Sequence, residues 1–283
     1  MSNKSQIITI VACLIMALIL IGGFLFLYQP TIPDFEIRVL NARNSDAIIV
    51  RAGGMNVLID GAHREYGYRI LSALDDMGIT RLDYIIITHF DSDHIGGLPE
   101  VLRNIPVSTV LAPRYSETSG SYRRLNEALE RAELTMTRLE HDYTIDLDGG
   151  HIWVNTHLRE EYEDENNFSL VSAIHYGEFS ALFMGDAQRI RINEFIDALA
   201  ERPALYQNFD FAKMPHHGQQ NNGPLRSLLR DGGVRYAVVT HDDPERVSSG
   251  LLDFLASEEI KVFPTWDGCV HLTIDDGRLR VMQ

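Results

Sequence analysis

The stretch Thr88-His89-Phe90-Asp91-Ser92-Asp93-His94-Ile95-Gly96-Gly97 puts four side chains able to bind a metal, His89, Asp91, Asp93 and His94, within six residues. Imidazole and carboxylate suit Zn, Mn or Fe, and alternating them over so short a stretch assembles most of a binuclear site. The competing reading is a solvated acidic turn. A turn needs only one Asx residue to close, however, and gains nothing from two flanking histidines. Further along, Gly185-Asp186 and Pro215-His216-His217-Gly218 each follow an apolar run. Asp186 taken alone would read as a cap for a helix starting near Arg189.

These groups need elements to carry them. Residues 84–87 are apolar and rich in β-branched side chains, which reads as a buried strand, and Gly96-Gly97 allows a tight turn into a helix over 98–104. Strands are expected over 35–40, 47–51 and 55–59, with Gly53-Gly54 as a hairpin turn, followed by a helix over 66–77. A strand over 107–111 and a charged amphipathic helix over 122–132 come next. Strands over 143–145, 152–155, 169–176 and 179–184 follow, the last two joined by Gly177-Glu178 and delivering Asp186. A strand over 209–214 leads to His216 and His217. Strands over 234–240, 261–263 and 270–274, with a helix over 251–257, complete the body.

Residues 7–28 are uncharged and mostly apolar. At about 1.5 Å per helical residue they are long enough to cross a hydrocarbon core of about 30 Å. A cleaved signal peptide is the competitor, but the exit reads Leu27-Tyr28-Gln29-Pro30, with no small-x-small cleavage site. Residues 1–30 are therefore expected to be a single-pass membrane anchor, and 31–283 one domain. Lys4 before the span, with Asp34 and Glu36 after it, favours the N-terminus inside and the body outside the cytoplasm. The chain carries 40 acidic against 25 basic residues, a formal net charge of −15. A surface of that sign lacks the basic stripe needed for a stable grip on long nucleic acid. Cys13 and Cys269 cannot pair if one lies in the bilayer, so core burial must hold the fold.

The metal loop resembles the metallo-β-lactamase-fold signature HxHxDH, and more closely the variant HxDxDHxGG of the hydrolase domain of ComEC competence proteins. Asp91 stands where the general signature has its second histidine. Residues 41–49 and 58–62 are similar to that family's DVGQGDSILI and LIDGG, matching at Asp46 and Asp60, with Asn44 and Ala62 in place of glycines. The segment from Asn166 to Val171 and the run Phe183-Met184-Gly185-Asp186 resemble NxxSLVL and LLTGD. Lys213, His216 and His217 match LKxxHHGS, with Gln219 in place of its serine. After 234–240 the family has an Asn and a His-Pro, whereas this chain has His241-Asp242-Asp243-Pro244.

The resemblance spans residues 35–281 and implies an α/β (α+β) fold, the four-layer αβ/βα sandwich. It implies two divalent ions, Zn or Mn, held by His89, Asp91, Asp93, His94, Asp186 and His217, with Asp186 bridging. It implies a metal-bridging hydroxide as nucleophile, with Asp93 binding metal and orienting the attack. His216 would then contact the leaving group, and Lys213 would hold a phosphate as a point charge. Asn166 stands where many members have a third histidine for the first metal, and reads as a substrate contact. His241 would either face substrate or take the absent histidine's place. His175 reads as a packed or edge histidine. The expected function is a membrane-anchored, metal-dependent hydrolase, a phosphodiesterase or nuclease acting outside the cytoplasm. Hydrolysis of a cell-wall phosphoester, a lactone or a β-lactam is the alternative, and a non-catalytic binding module the third reading. One membrane span encloses no pore, so the chain itself does not translocate DNA.

Overall fold

Apolar residues alternate along the strands between two different cores, and that alternation builds a layered structure. In the computed structural model, which describes residues 14–18, 34–202, 208–275 and 277–283, the first sheet is built from β1 (Phe35–Val39), β2 (Ile48–Ala52), β3 (Met55–Ile59), β4 (Leu82–Ile86), β5 (Val107–Ala112) and β6 (Met136–Arg138). The second holds β7 (Tyr143–Leu147), β8 (Gly150–Asn155), β9 (Val171–Tyr176), β10 (Phe179–Phe183), β11 (Phe211–Lys213), β12 (Tyr236–Val239) and β13 (Lys261–Pro264). The chain then returns to the first sheet with β14 (Val270–Asp275) and β15 (Arg278–Met282), giving the orders β15-β14-β1-β2-β3-β4-β5-β6 and β13-β12-β11-β10-β9-β8-β7.

Ile48, Val50, Val57, Ile59 and Ile86 face Ile152, Val154, Ile174, Ala181 and Phe183 in the core between the sheets. Their neighbours Ile49, Leu58, Ile85 and Ile87 turn the other way, onto α1 (Gly67–Asp76), α3 (Leu98–Asn104) and α4 (Gly120–Arg131). The short α2 (Ser92–Ile95) lies within the metal loop. On the second sheet Leu182 and Met184 pack against α5 (Arg189–Ala200), α6 (Gly223–Asp231) and α7 (Ser249–Ser257). The result is the expected αβ/βα sandwich, since each amphipathic layer can bury its apolar face only against another.

Strands β3 to β6 run parallel, as do β10 to β13. Their carboxyl ends therefore lie along common edges, and loops leaving parallel strands there are where α/β sheets gather functional groups. Asp60, His89, Asp186, His217 and Thr240 all follow the last residue of such a strand.

Residues 1–33 and 34–283 are separate compact units. In the first, 14–18 are helical, with Leu14, Ile15, Met16 and Leu18 exposed. The rest of the apolar run at 7–28 lies outside the described residues. Among those described, no helix is long and apolar enough to cross a membrane.

Candidate metal centre

Asp93, His94, Asp186 and His217 each offer one ligand atom, and these atoms all lie within 4.8 Å of one another. Hydrogen-bond directions decide what each imidazole can do, because a ring nitrogen binds metal only through a free lone pair. Thr88 has one hydroxyl proton and gives it to Asp60 Oδ2 at 2.7 Å. Its oxygen therefore accepts from His89 Nδ1 at 3.1 Å, which leaves the His89 Nε2 lone pair free. His94 Nδ1 donates to Asp60 Oδ2 at 2.7 Å, freeing Nε2 3.3 Å from Asp186 Oδ1. Thr240 gives its proton to Asp46 Oδ1 at 2.6 Å, so its oxygen accepts from His217 Nδ1 at 3.1 Å. His217 Nε2 then faces Asp93 Oδ2 at 3.2 Å and Asp186 Oδ2 at 3.4 Å.

The donor set fits divalent ions. His89 Nε2, His94 Nε2 and Asp186 Oδ1 are buried with no hydrogen-bond partner among the described residues, an arrangement that proteins otherwise avoid. Asp46, Asp60 and Asp186 are at most 2% exposed. Together with Asp93 they face, among the described residues, a single fixed cation, Lys213, and buried carboxylates in that ratio call for further positive charge. The local field has the same sign. Burial opposes protonation of His94 and His217, yet Asp186 and Asp60 hold the His94 pKa well above its ordinary value. Asp186 and Asp46 likewise push that of His217 up to about 10. Burial would raise Asp186 and Asp93, but His217 and His94 keep both carboxyls below the usual range.

His89 and Asp91 extend the cluster, with Nε2 and Oδ2 3.6 Å apart. Asp91 is lowered by its contact with His89. Asn166 follows the cap residue Asp164, whose carboxylate accepts its backbone N–H at 3.0 Å, and its own Oδ1 is buried without a partner among the described residues. Tyr115 accepts the Phe90 N–H at 2.8 Å, steadying the loop between His89 and Asp91.

The His216-His217 pair sits in a tight turn. Both residues are left-handed, at φ 49 and 52, and this turn, not strand alternation, parts the rings. Such strain costs roughly 1–3 kcal/mol per residue and is stored where geometry matters. His217 is turned inward and buried. His216 Nε2 lies 3.9 Å from Asp186 Oδ2, with its side chain 25% exposed, and burial lowers its pKa.

Lys213 is not where a substrate contact would be. Its ammonium is fully buried beneath the cluster, paired with Asp46, donating to the Gly185 carbonyl at 3.0 Å and lying 3.6 Å from Asp186 Oδ1. Its donors are committed to Asp46, Gly185 and Asp186, so none is left for a phosphate. His241 is buried beside His217, and its Nδ1 accepts the Asp243 N–H at 2.9 Å. His175 stacks on His151 at 5.2 Å and meets Ser180 Oγ at 2.8 Å, on the face of the second sheet that packs against Phe209. His157 is satisfied by Arg159 O and the Arg114 N–H.

Asp46, Asp60, Thr88 and Thr240 were not among the expected site residues. The first two match family motifs but were assigned no role. The threonines have no metal-binding side chain, and only the three-dimensional network reveals that they fix the imidazoles.

The sequence profile of the Metallo-beta-lactamase superfamily matches residues 40–241. The chain belongs to the metallo-beta-lactamase superfamily. Within it, the chain is similar to ComE operon protein 3 of Bacillus subtilis (strain 168), 23% identical over 70% of this chain and 27% of that one. It is similar to Recombination protein 2 of Haemophilus influenzae, 22% identical over 77% and 26%. This metallo-beta-lactamase chain thus spans about a quarter of the length of either relative. Among solved structures, CmlA beta-hydroxylase E377D mutant superposes with a TM-score of 0.54 at 16% identity, over 87% of this chain and 55% of that one. The metallo-beta-lactamase fold protein YhfI from Bacillus subtilis gives 0.51 at 12%, over 81% and 95%. Likeness at that level concerns the fold alone.

Proposed function

We propose that this chain is a metal-dependent hydrolase of a small phosphodiester, holding two divalent ions of the Zn or Mn type through His89, Asp91, Asp93, His94, Asp186 and His217. The observation that carries the reading is the convergence of Asp93, His94, Asp186 and His217 ligand atoms within 4.8 Å. When bound, such ions lower the pKa of water and offset negative charge on an ester undergoing attack. Asp186, with two oxygens turned to different imidazoles, would help hold both ions. Asp93, only partly buried, orients a water toward substrate. His216, the more exposed of its pair, contacts the leaving group, and Asn166 contacts substrate on the His89 side. Lys213 balances the charge of Asp46 and Asp186 from below.

The similarity to competence and recombination proteins supports a phosphodiester. The net charge of −15, with Glu165 close enough to both Glu117 and Asp91 to be repelled by them on the His89 side, supports a small substrate over a long polyanion. The burial of Lys213 favours a second reading, hydrolysis of an uncharged lactone or β-lactam. Residues 7–28 anchor the protein with its body outside the cytoplasm, and reporter fusions at Gln283 should be active only when exported.

The test uses the full chain in detergent: metal analysis, then turnover of bis-p-nitrophenyl phosphate, single- and double-stranded DNA, a lactone and a β-lactam with Mn or Zn. Two ions per chain with turnover of the small phosphodiester is the expected result. Turnover of the lactone or the β-lactam alone would shift the assignment to the second reading, and bound metal without any turnover would reduce the protein to a binding module.

A further inference from the structure

The histidines around the centre fall into two kinds by the direction of their Nδ1 hydrogen bond. His89, His94 and His217 each donate from Nδ1, to Thr88, Asp60 and Thr240 respectively, and so present Nε2 as a lone pair. His241 is the reverse. Its Nδ1 accepts the backbone N–H of Asp243 at 2.9 Å, and a nitrogen that accepts a hydrogen bond carries no proton. Asp242 Oδ1 also lies near Nδ1, at 3.5 Å. A proton on Nδ1 aimed at that carboxylate would confront the closer Asp243 N–H, so the accepting arrangement wins. The single proton of the neutral ring is therefore on Nε2.

That Nε2 is buried and has no partner among the described residues. His241 follows Thr240, whose hydroxyl takes the His217 Nδ1 proton, and it interacts electrostatically with His217. The Arg43–Asp242 ion pair, at 2.7 Å, braces the outer side of the same loop, and Thr265 Oγ1 approaches the His241 carbonyl at 3.5 Å. A braced, buried N–H donor with no acceptor among the described residues is costly, which points to an acceptor supplied from outside them.

We infer that His241 is a fixed hydrogen-bond donor to an oxygen of the substrate, and not a ligand of either metal. The inference rests on the hydrolase reading above and adds a specificity-determining contact to it. Metal binding through Nε2 would need the lone pair that the Asp243 hydrogen bond denies it. A donor of this kind selects substrates with an oxygen acceptor at that position, a phosphoryl oxygen in the proposed reaction, and it does so without a fixed positive charge.

The first test is spectroscopic and independent of activity. Long-range 1H–15N spectra of the full chain with 15N-labelled histidine, assigned with a His241→Gln variant, should give the Nε2-protonated tautomer for His241. The Nδ1-protonated form there would overturn the inference. The second test measures binding of inorganic phosphate to the metal-loaded full chain. His241→Ala should keep the wild-type metal content and weaken phosphate binding by about tenfold, the usual scale for one lost hydrogen bond. His241→Gln, whose amide can still donate, should lose less. Release of a metal ion in His241→Ala, unchanged phosphate affinity, or equal losses in both variants would each sink the assignment. If the wild-type protein binds phosphate but cleaves no phosphodiester, the proposed reaction fails while the donor role of His241 stands or falls on these measurements.

Discussion

At the scale of single residues the charge of two carboxylates decides the chemistry. Asp93→Asn and Asp186→Asn keep size but remove the charge that attracts the ions. Each should lower turnover by orders of magnitude and reduce bound metal, with an unchanged far-ultraviolet spectrum. Full activity in Asp186→Asn would falsify the binuclear centre. Lys213 behaves differently. Because its ammonium is buried against Asp46 and Asp186, Lys213→Met leaves buried carboxylates uncompensated, and urea titration should register a loss of about 3–5 kcal/mol. A purely kinetic effect, a raised KM with normal stability, would restore Lys213 to the substrate surface. The residues of the centre were unevenly legible in sequence. His89, Asp91, Asp93 and His94 declare themselves by type and spacing over one loop. Asp186 and His217 needed a family resemblance to be singled out. Thr88 and Thr240 were invisible, since a threonine that sets a tautomer looks like any other until its hydroxyl partners are known. Lys213 carried a matching motif but a misleading implication, because a motif records identity and not depth.

Among the elements, α5 does more than cover the second sheet. Arg191 on it is fully buried, and its guanidinium donates to Ser169 O at 2.8 Å, to Asn155 O at 2.8 Å and to Asn155 Oδ1 at 2.7 Å. Its backbone N–H reaches Asn167 Oδ1 at 3.2 Å, and Ser169 Oγ in turn accepts the Asp186 N–H at 3.2 Å. The helix thereby sets the segment that carries Asn166 and steadies Asp186. Arg191→Met would strand these acceptors, and denaturant unfolding should show a loss of about 3 kcal/mol or more, each buried unpaired group costing roughly 1–3 kcal/mol. A loss below about 1 kcal/mol would mean that the segment is held by other contacts. Strands with strong apolar alternation were readable, and β3 and α3 fall on their expected bounds. The elements missed include β6, the one-turn α2, α6 and β15. Each is short and leans on a neighbour for its hydrogen bonds or its core contacts. The signals of α6 were nonetheless present, with Asn222 capping the Leu225 N–H, Pro224 in the first turn, and Leu225, Leu228 and Leu229 on one face.

For the molecule as a whole, acid stability offers a test away from the centre. Burial, and secondarily the neighbouring His151, lowers the His175 pKa to about 4. Its ordinary value is about 6.5. As the pH falls from about 6.5 to about 4, the unfolded chain takes up a proton that the folded His175 refuses, so this group's contribution to stability is lost across that window and is fully present above it. His175→Gln should therefore show a shallower decline in stability than wild type between those limits when both are unfolded in urea at a series of pH values; parallel declines would contradict the environment assigned to His175. The layered architecture was legible from the alternation and from the resemblance, because both report which face of each strand is apolar. The return of the chain to its first sheet was not, since strand order depends on contacts between residues far apart in sequence. That return has a bearing on biosynthesis. β1 pairs on one side with β14, Glu36 opposite Thr273, so β1 must wait for β14 to leave the ribosome. The centre draws on both sheets through Asp46, Lys213 and Thr240. Nascent chains halted before residue 270 should therefore retain metal poorly, and loading of the ions would follow the synthesis of β14.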